Sequence, residues 1–210
     1  MEGNVHILKD FYDDIAEEYA DEEYQNDSLL KILERFVTLL PASPKILDMG
    51  CGAGYHSKAL RSFRAMVTGI DISEKAIQIA QSKNSGCRFE VMDFMNMGDD
   101  IGCFDGIISI ATLMHIKKDD LPVVFSQINK RLNDDGFLLL IVSNGNGKTE
   151  LHFSKTIDDR HYDFPTYFYD GVLLNELALE SSIYFVENWS IPEKYSQKGY
   201  RSYLYQKRNK

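Results

Sequence analysis

Residues 46–54 read Ile46-Leu47-Asp48-Met49-Gly50-Cys51-Gly52-Ala53-Gly54, and residues 69–73 read Gly69-Ile70-Asp71-Ile72-Ser73. A short apolar run enters a glycine-rich turn, and a second apolar run ends on an acid. An α/β sheet builds a nucleoside pocket from such a strand, turn, helix and strand. Gly50, Gly52 and Gly54 let the backbone approach a ligand closely, and Asp71 can accept hydrogen bonds from both hydroxyls of a ribose.

The spelling of the turn separates two ligand classes. A dinucleotide site follows G-x-G-x-x-G, whose third glycine brings helix and strand together beside a pyrophosphate. Here Gly54 is followed by Tyr55-His56, so that register fails. Asp48 also precedes the first glycine, where a negative charge suits a cationic ligand better than a pyrophosphate. The segment resembles motif I of the class I S-adenosylmethionine-dependent methyltransferases, close to D-x-G-x-G-x-G. The resemblance implies S-adenosylmethionine as cofactor and S-adenosylhomocysteine as product. Gly50, Cys51, Gly52 and Gly54 would wrap the methionine moiety, with Cys51 a lining residue and not a nucleophile. Asp48 would orient that moiety indirectly, Asp71 would hold the ribose, and Ile72 would contact the cofactor beside it.

Composition bounds the rest. A chain of 210 residues holds one α/β domain with a full core and is short for two. The net charge of −9, from 32 acids and 23 bases, disfavours nucleic acid, whose binders carry a basic face. Cys51, Cys87 and Cys103 lack metal-ligand spacing, and an odd count fits a reducing compartment. The first residues, Met1-Glu2-Gly3-Asn4-Val5-His6, carry neither a basic region nor an apolar run, and no stretch reaches the roughly 18 apolar residues of a membrane span. A cytoplasmic protein with no membrane partner and no metal is the expectation. The oligomeric state stays open.

Apolar runs alternate with amphipathic segments along the chain. Strands are expected over 45–49, 66–71, 88–93, 104–110 and 137–143, apolar enough to be covered on both faces. Helices are expected over 74–82, with Ser73 as N-cap, and over 119–133, where Leu121, Val124, Phe125, Ile128 and Leu132 repeat at helical spacing. Asp134-Asp135-Gly136 should end that helix and turn the chain into the fifth strand. Phe11, Ile15, Tyr19 and then Leu29, Ile32, Leu33, Phe36, Leu40 predict two helices within residues 1–44, a cap over the ligand edge. Residues 45–143 form the expected cofactor-binding core. Residues 144–169, dense in Phe, Tyr and His, read as a lid. Residues 170–210 read as a helix over 170–180 and a hairpin of strands over 183–189 and 200–207. The resemblance adds a Rossmann-like α/β architecture: seven strands in the order 3-2-1-4-5-7-6, the last antiparallel, with helices on both faces.

Further motifs follow the same family. Asp93 and Phe94, after Phe89-Glu90-Val91-Met92, resemble the third-strand motif in which the acid accepts from the adenine amino group and the next residue flanks the ring. Phe104 to Ile110, then Ala111-Thr112-Leu113-Met114-His115, resembles the fourth motif. The methyl group would point at its carboxyl end, so Ile110 joins the cofactor contacts. Tyr12 and Tyr19 resemble the family's N-terminal Tyr-Asp-x-x-Ala-x-x-Tyr segment, where a tyrosine reaches the cofactor carboxylate. His115 is the best-placed general base if the acceptor is protonated, with packing or capping the competing role.

Other signatures are missing. The Asp/Asn/Ser-Pro-Pro-aromatic motif of enzymes that methylate exocyclic amines of bases is replaced by Ser109-Ile110-Ala111-Thr112. Neither the Pro-Cys nucleophile of cytosine-carbon enzymes nor the paired-glutamate loop of protein arginine enzymes is found. A small-molecule acceptor, methylated on oxygen or nitrogen, is the remaining expectation. His152, His161, Tyr162, Phe164, Tyr167 and Phe168 either line an aromatic or cationic acceptor pocket or form a satellite core. A non-catalytic nucleoside-binding module, an NAD-type oxidoreductase and a polyamine synthase on the same fold are the alternatives.

Overall fold

A computed structural model describes residues 2–25 and 27–208. Strand β1 (Lys45–Met49) lies at the centre of the sheet, parallel to β2 (Met66–Asp71) on one side and β4 (Phe104–Ile110) on the other. With β3 (Arg88–Val91), β5 (Leu132–Ser143), β8 (Ile183–Glu187) and β9 (Tyr200–Lys207), the order is β3-β2-β1-β4-β5-β9-β8. Strand β9 runs antiparallel to both β5 and β8. This is the expected seven-strand order. The two extra labels come from β6 (Glu150–Ile157) and β7 (Arg160–Tyr167), a separate antiparallel pair.

Successive residues of β1 and β4 serve opposite faces of the sheet, as a period of two requires. Leu47, Met49 and Ile107 join one core with α5 (Leu121–Arg131) and α6 (Gly171–Glu180). Ile46 and Ile108 join another with α2 (Leu30–Thr38) and α3 (Tyr55–Ser62). Both faces being covered explains why these strands are apolar runs without alternation. Helix α2 lies so close to β4 that a Cβ on Gly106 would sit 2.8 Å from Leu40 and 2.9 Å from Phe36. Helix α4 (Glu74–Lys83) begins as expected, with the Ser73 hydroxyl accepting from the Ala76 N–H at 3.0 Å.

Several boundaries differ from expectation for local reasons. The helix expected over 119–133 is shorter, because Pro122 opens it and Leu132 already has strand geometry. Asp134-Asp135-Gly136 is not a turn between elements but an irregularity inside β5. There Phe104 pairs with Leu132 and Gly106 with Phe137, so the chain between them loops out with Asp135 at φ 61°. The strand expected to reach Asp93 stops at Val91, since Asp93 instead caps a short 3-10 turn by accepting from Met95 N–H. The last hairpin's first strand likewise stops at Glu187, short of 189.

The flanks hold the larger differences. The first helix, α1, runs Glu2–Tyr24. Within the expected lid, residues 150–167 form the β6–β7 hairpin, with Tyr162, Phe164 and Thr166 buried at alternate positions of β7. Pro165 masked that alternation in the sequence; a proline is tolerated here because the pair has free edges. A short α7 (Glu193–Ser196) precedes β9.

Candidate functional site

The turn after β1 is tied to β2 before any ligand is considered. Gly50 and Cys51 N–H both donate to Ile70 O, at 2.8 and 3.0 Å. Asp71 then clamps the turn: one carboxylate oxygen accepts from Gly52 N–H at 2.9 Å and the other from Ser73 N–H at 3.0 Å. Each oxygen keeps a second acceptor site. Burial raises the Asp71 pKa, opposed by these backbone N–H groups. Gly50 stands at φ 73°, and a Cβ there would lie 2.3 Å from Thr112 Oγ1. Side chains are thus excluded both by backbone conformation and by the neighbouring strand end.

Above the carboxyl ends of β1, β2 and β4 lies a cavity whose floor includes Gly50, Gly52, Asp71, Asp93, Phe94 and Ile110. Its roof is α1, which presents Val5, Leu8, Tyr12, Ala16, Tyr19 and Glu23. Those positions recur every three or four residues, one stripe of a helix. The helix is held down from both sides. Asp13 accepts from Ser73 Oγ at 2.6 Å and from Lys75 N–H at 3.0 Å, which ties α1 to the start of α4. Tyr162 and Arg160 of β7 both donate to Asp14.

Of the residues singled out in the sequence, Tyr12, Tyr19, Gly50, Gly52, Asp71, Ile72, Asp93, Phe94, Ile110 and His115 line this cavity. Asp48, Cys51 and Gly54 stand behind it. Asp48 is buried and accepts from Ser57 Oγ at 2.7 Å; burial raises its pKa to about 7. Cys51 packs with Ile77, Ala80 and Phe89. Gly54, at φ 83°, faces Asn84, Phe89 and Ala80.

Tyr12 OH is 2.7 Å from His115 Nε2. Burial lowers the His115 pKa to about 4, so the ring is neutral near pH 7. Its Nδ1 is buried without a partner.

Of the two readings of the aromatic segment, the satellite core holds for part of it. None of His152, His161, Tyr162, Phe164, Tyr167 and Phe168 lines the cavity. Tyr162 and Phe164 form a satellite core with Leu8 and Phe11 of α1, and His152 and His161 face outward. Alternation along β7 turns one set of side chains to α1 and the other to solvent.

Sequence reasoning missed Glu23, Ala53, His56, Thr112 and Ile116, all on the cavity wall. Glu23 had a usable signal, four positions after Tyr19 on one helical face. Burial lowers the His56 pKa to about 4. Among the described residues, no cluster of His, Cys, Asp and Glu could hold a metal ion, and no helix is long and apolar enough to cross a membrane.

Residues 46–136 match the family described as a methyltransferase domain. The chain is 35% identical over 107 residues to an uncharacterized methyltransferase of Schizosaccharomyces pombe, spanning 40% of this chain and 74% of that protein. This chain belongs to the class I S-adenosylmethionine-dependent methyltransferases. It is also 33% identical over 95 residues to a ubiquinone biosynthesis O-methyltransferase of Coxiella burnetii, covering 43% of this chain and 40% of that one. The chain spans about half the length, or less, of several curated relatives that it matches. The magnesium protoporphyrin IX methyltransferase of Synechocystis PCC 6803, solved with bound S-adenosylmethionine, superposes with a TM-score of 0.73 at 17% identity. That likeness covers 98% of this chain and 97% of the other and concerns the fold.

The cavity suits the family's cofactor in its donor set. Acids from two strand ends and a glycine-rich turn share one floor, and two buried polar atoms of its wall residues, Glu23 Oε2 and His115 Nδ1, lack partners.

Proposed function

We propose that this methyltransferase family member transfers a methyl group to oxygen or nitrogen of a small-molecule acceptor bound between the end of β4 and the roof helix. The observation that carries this reading is the cavity itself: Asp71, Asp93 with Phe94, and the turn at Gly50 and Gly52 share one floor at the carboxyl ends of the strands, where open α/β sheets bind ligands. Asp71 would accept from the ribose hydroxyls. Asp93 would accept from the adenine amino group, with Phe94 flanking the ring. Gly50 and Gly52 would admit the amino-acid end, while Asp48 acts from behind through Ser57 and the turn.

S-adenosylmethionine, when bound, supplies a methyl carbon already activated by the sulfonium charge. The chain's own part is alignment and exclusion of water, which suffice for much of the acceleration in such a displacement. The cavity's remaining wall includes Leu8, Tyr12, Thr112, His115 and Ile116, apolar surface with a few hydroxyl and imidazole groups, as small-molecule sites show. Among the described residues no lysine or arginine is on the wall, which favours an acceptor without a strong negative charge. In the tautomer whose Nε2–H donates to Tyr12, His115 Nδ1 carries a free lone pair for an acceptor proton.

On this reading α1 caps the site and residues 45–143 hold the cofactor. The β6–β7 hairpin braces the cap from outside, residues 170–208 close the sheet, and the chain acts as one catalytic unit in the cytoplasm.

The test is ligand binding followed by transfer. S-adenosylhomocysteine at about 100 times its Kd should stabilise the protein by ~2.7 kcal/mol, or roughly 5–11 °C in Tm for a chain of this size. Nicotinamide dinucleotides should have no effect. Labelled S-adenosylmethionine should then mark a component of a metabolite extract and leave RNA and protein fractions unlabelled. A shift with no transfer to any fraction would reduce the protein to a nucleoside-binding module.

A further inference from the structure

Among the described residues, six α1 side chains line the cavity roof, and Glu23 is the one carboxylic acid or basic group of the six. Its Oε2 is buried and has no hydrogen-bond partner. That oxygen lies 3.5 Å from where a Cβ on Gly52 would stand, so it looks onto the glycine turn. Asp48 and Asp71 are near enough to repel it, and burial with their repulsion raises its pKa to about 8, against a hydrogen bond with Tyr19. Glu23 makes no ion pair among the described residues. An unpaired buried carboxylate is costly, and the cost is removed by a cation that enters beside it.

The position on the wall selects which cation. On the reading given above, the adenosine portion lies toward Asp71 and Asp93, and the amino-acid end enters the glycine turn that Glu23 faces. That end carries an α-ammonium group. We propose that Glu23 is the counter-ion of this α-ammonium group, supplied by the roof helix to the amino-acid end of the methyl donor. The proposal rests on the S-adenosylmethionine reading of the cavity. A carboxylate facing an ammonium forms a charge-assisted hydrogen bond, and in a partly enclosed cavity that bond is less screened than at the surface.

The experiment is a cycle of two proteins and three ligands, read as Kd by calorimetry on the full chain. The ligands are S-adenosylhomocysteine, S-adenosylmethionine and the S-adenosylhomocysteine analogue lacking the α-amino group. Glu23→Gln should weaken the first two by tenfold or more and by the same factor. The analogue should bind wild type weakly and change less than twofold in the variant. Glu23→Asp should recover part of the lost affinity, and the Tm of unliganded Glu23→Gln should be no lower than wild type, which excludes misfolding.

Equal weakening of all three ligands would make Glu23 structural and overturn the proposal. Unchanged affinity for S-adenosylhomocysteine would overturn it too. Weakening confined to S-adenosylmethionine would assign Glu23 to the sulfonium instead. Failure of wild type to bind any of the three would sink the reading of the cavity itself, a result distinct from all the others.

Discussion

At the scale of single residues, the glycine turn is constrained twice over. Gly50 needs a left-handed backbone and has Thr112 where a methyl group would go. Gly50→Ala is therefore expected to cost roughly 2 kcal/mol or more, the sum of the backbone penalty and the collision. Chemical denaturation would measure it, and Thr112→Ala in the same chain should recover part. A loss below about 0.5 kcal/mol would show that the turn relaxes freely. The expectation for His115 is different in kind. Its ring stays neutral near pH 7 and bonds Tyr12, away from the floor that holds the acids. His115→Ala should lower turnover while leaving the Kd for S-adenosylhomocysteine within about twofold. Unchanged turnover would remove the imidazole from the reaction and leave it a latch for α1.

At the scale of elements, the roof helix is fastened to β7 by apolar packing and to α4 by polar contacts. Lys9–Glu74, Lys75–Glu17 and Lys83–Asp21 are surface pairs between α1 and α4, each worth about 0–1 kcal/mol. Asp13 is the stronger fastening, because it meets Ser73, Lys75 and Lys9 at once. Partial burial opposes its ionisation, yet those three hydrogen bonds together hold its pKa below the usual value. The docking it provides is present above the ordinary carboxylate pKa and is lost as pH falls through the lower folded value. Asp13→Ala should speed amide exchange across residues 2–24 by about tenfold or more, with β1 and β4 unchanged. Uniform acceleration over the whole chain would mean that α1 belongs to the global folding unit and is no separate roof.

At the scale of the whole molecule, buried titratable groups set how stability follows pH. Asp48 at about 7 and Glu23 at about 8 lie above their unfolded values, each mainly through burial. The native state binds more protons at these sites than the unfolded chain, so their contribution falls as pH rises from about 4 to those values. His56 and His115, lowered to about 4 by burial, act in the opposite sense. Their penalty appears as pH falls below about 6.5. The two effects oppose each other in acid, and only the carboxyls remain between pH 6.5 and 8. The Tm of the unliganded protein should fall by a few degrees over that interval, and Glu23→Gln should flatten the fall. A Tm rising with pH there would show that these carboxyls are ionised in the native state.

The same three scales separate what was legible from what was not. The bounds of β1, β2 and β4 could be read because strands covered on both faces are predominantly apolar, while those of β9 were read with the family's last hairpin as a guide. The placement of the glycine turn, Asp71 and Asp93 with Phe94 on one cavity could be read because each follows a strand end within a few residues. Asp48 could be read as part of the motif acting indirectly, but its partner Ser57 could not, since the two meet only once α3 has formed. The β6–β7 hairpin escaped because polar residues and Pro165 obscure its alternation, and its buried face exists only against α1.

The sequence by itself determined the central parallel strands and the glycine turn, because those follow from local backbone preferences and short spacings, and the turn carried the resemblance that implied the family and the seven-strand order. Only the tertiary structure decided that α1 and not α2 supplies the expected cap, that Thr112 closes on Gly50, and that Glu23 faces Gly52. Those juxtapositions join residues from separate elements, and docking is fixed by the summed packing of whole surfaces rather than by any stretch of chain.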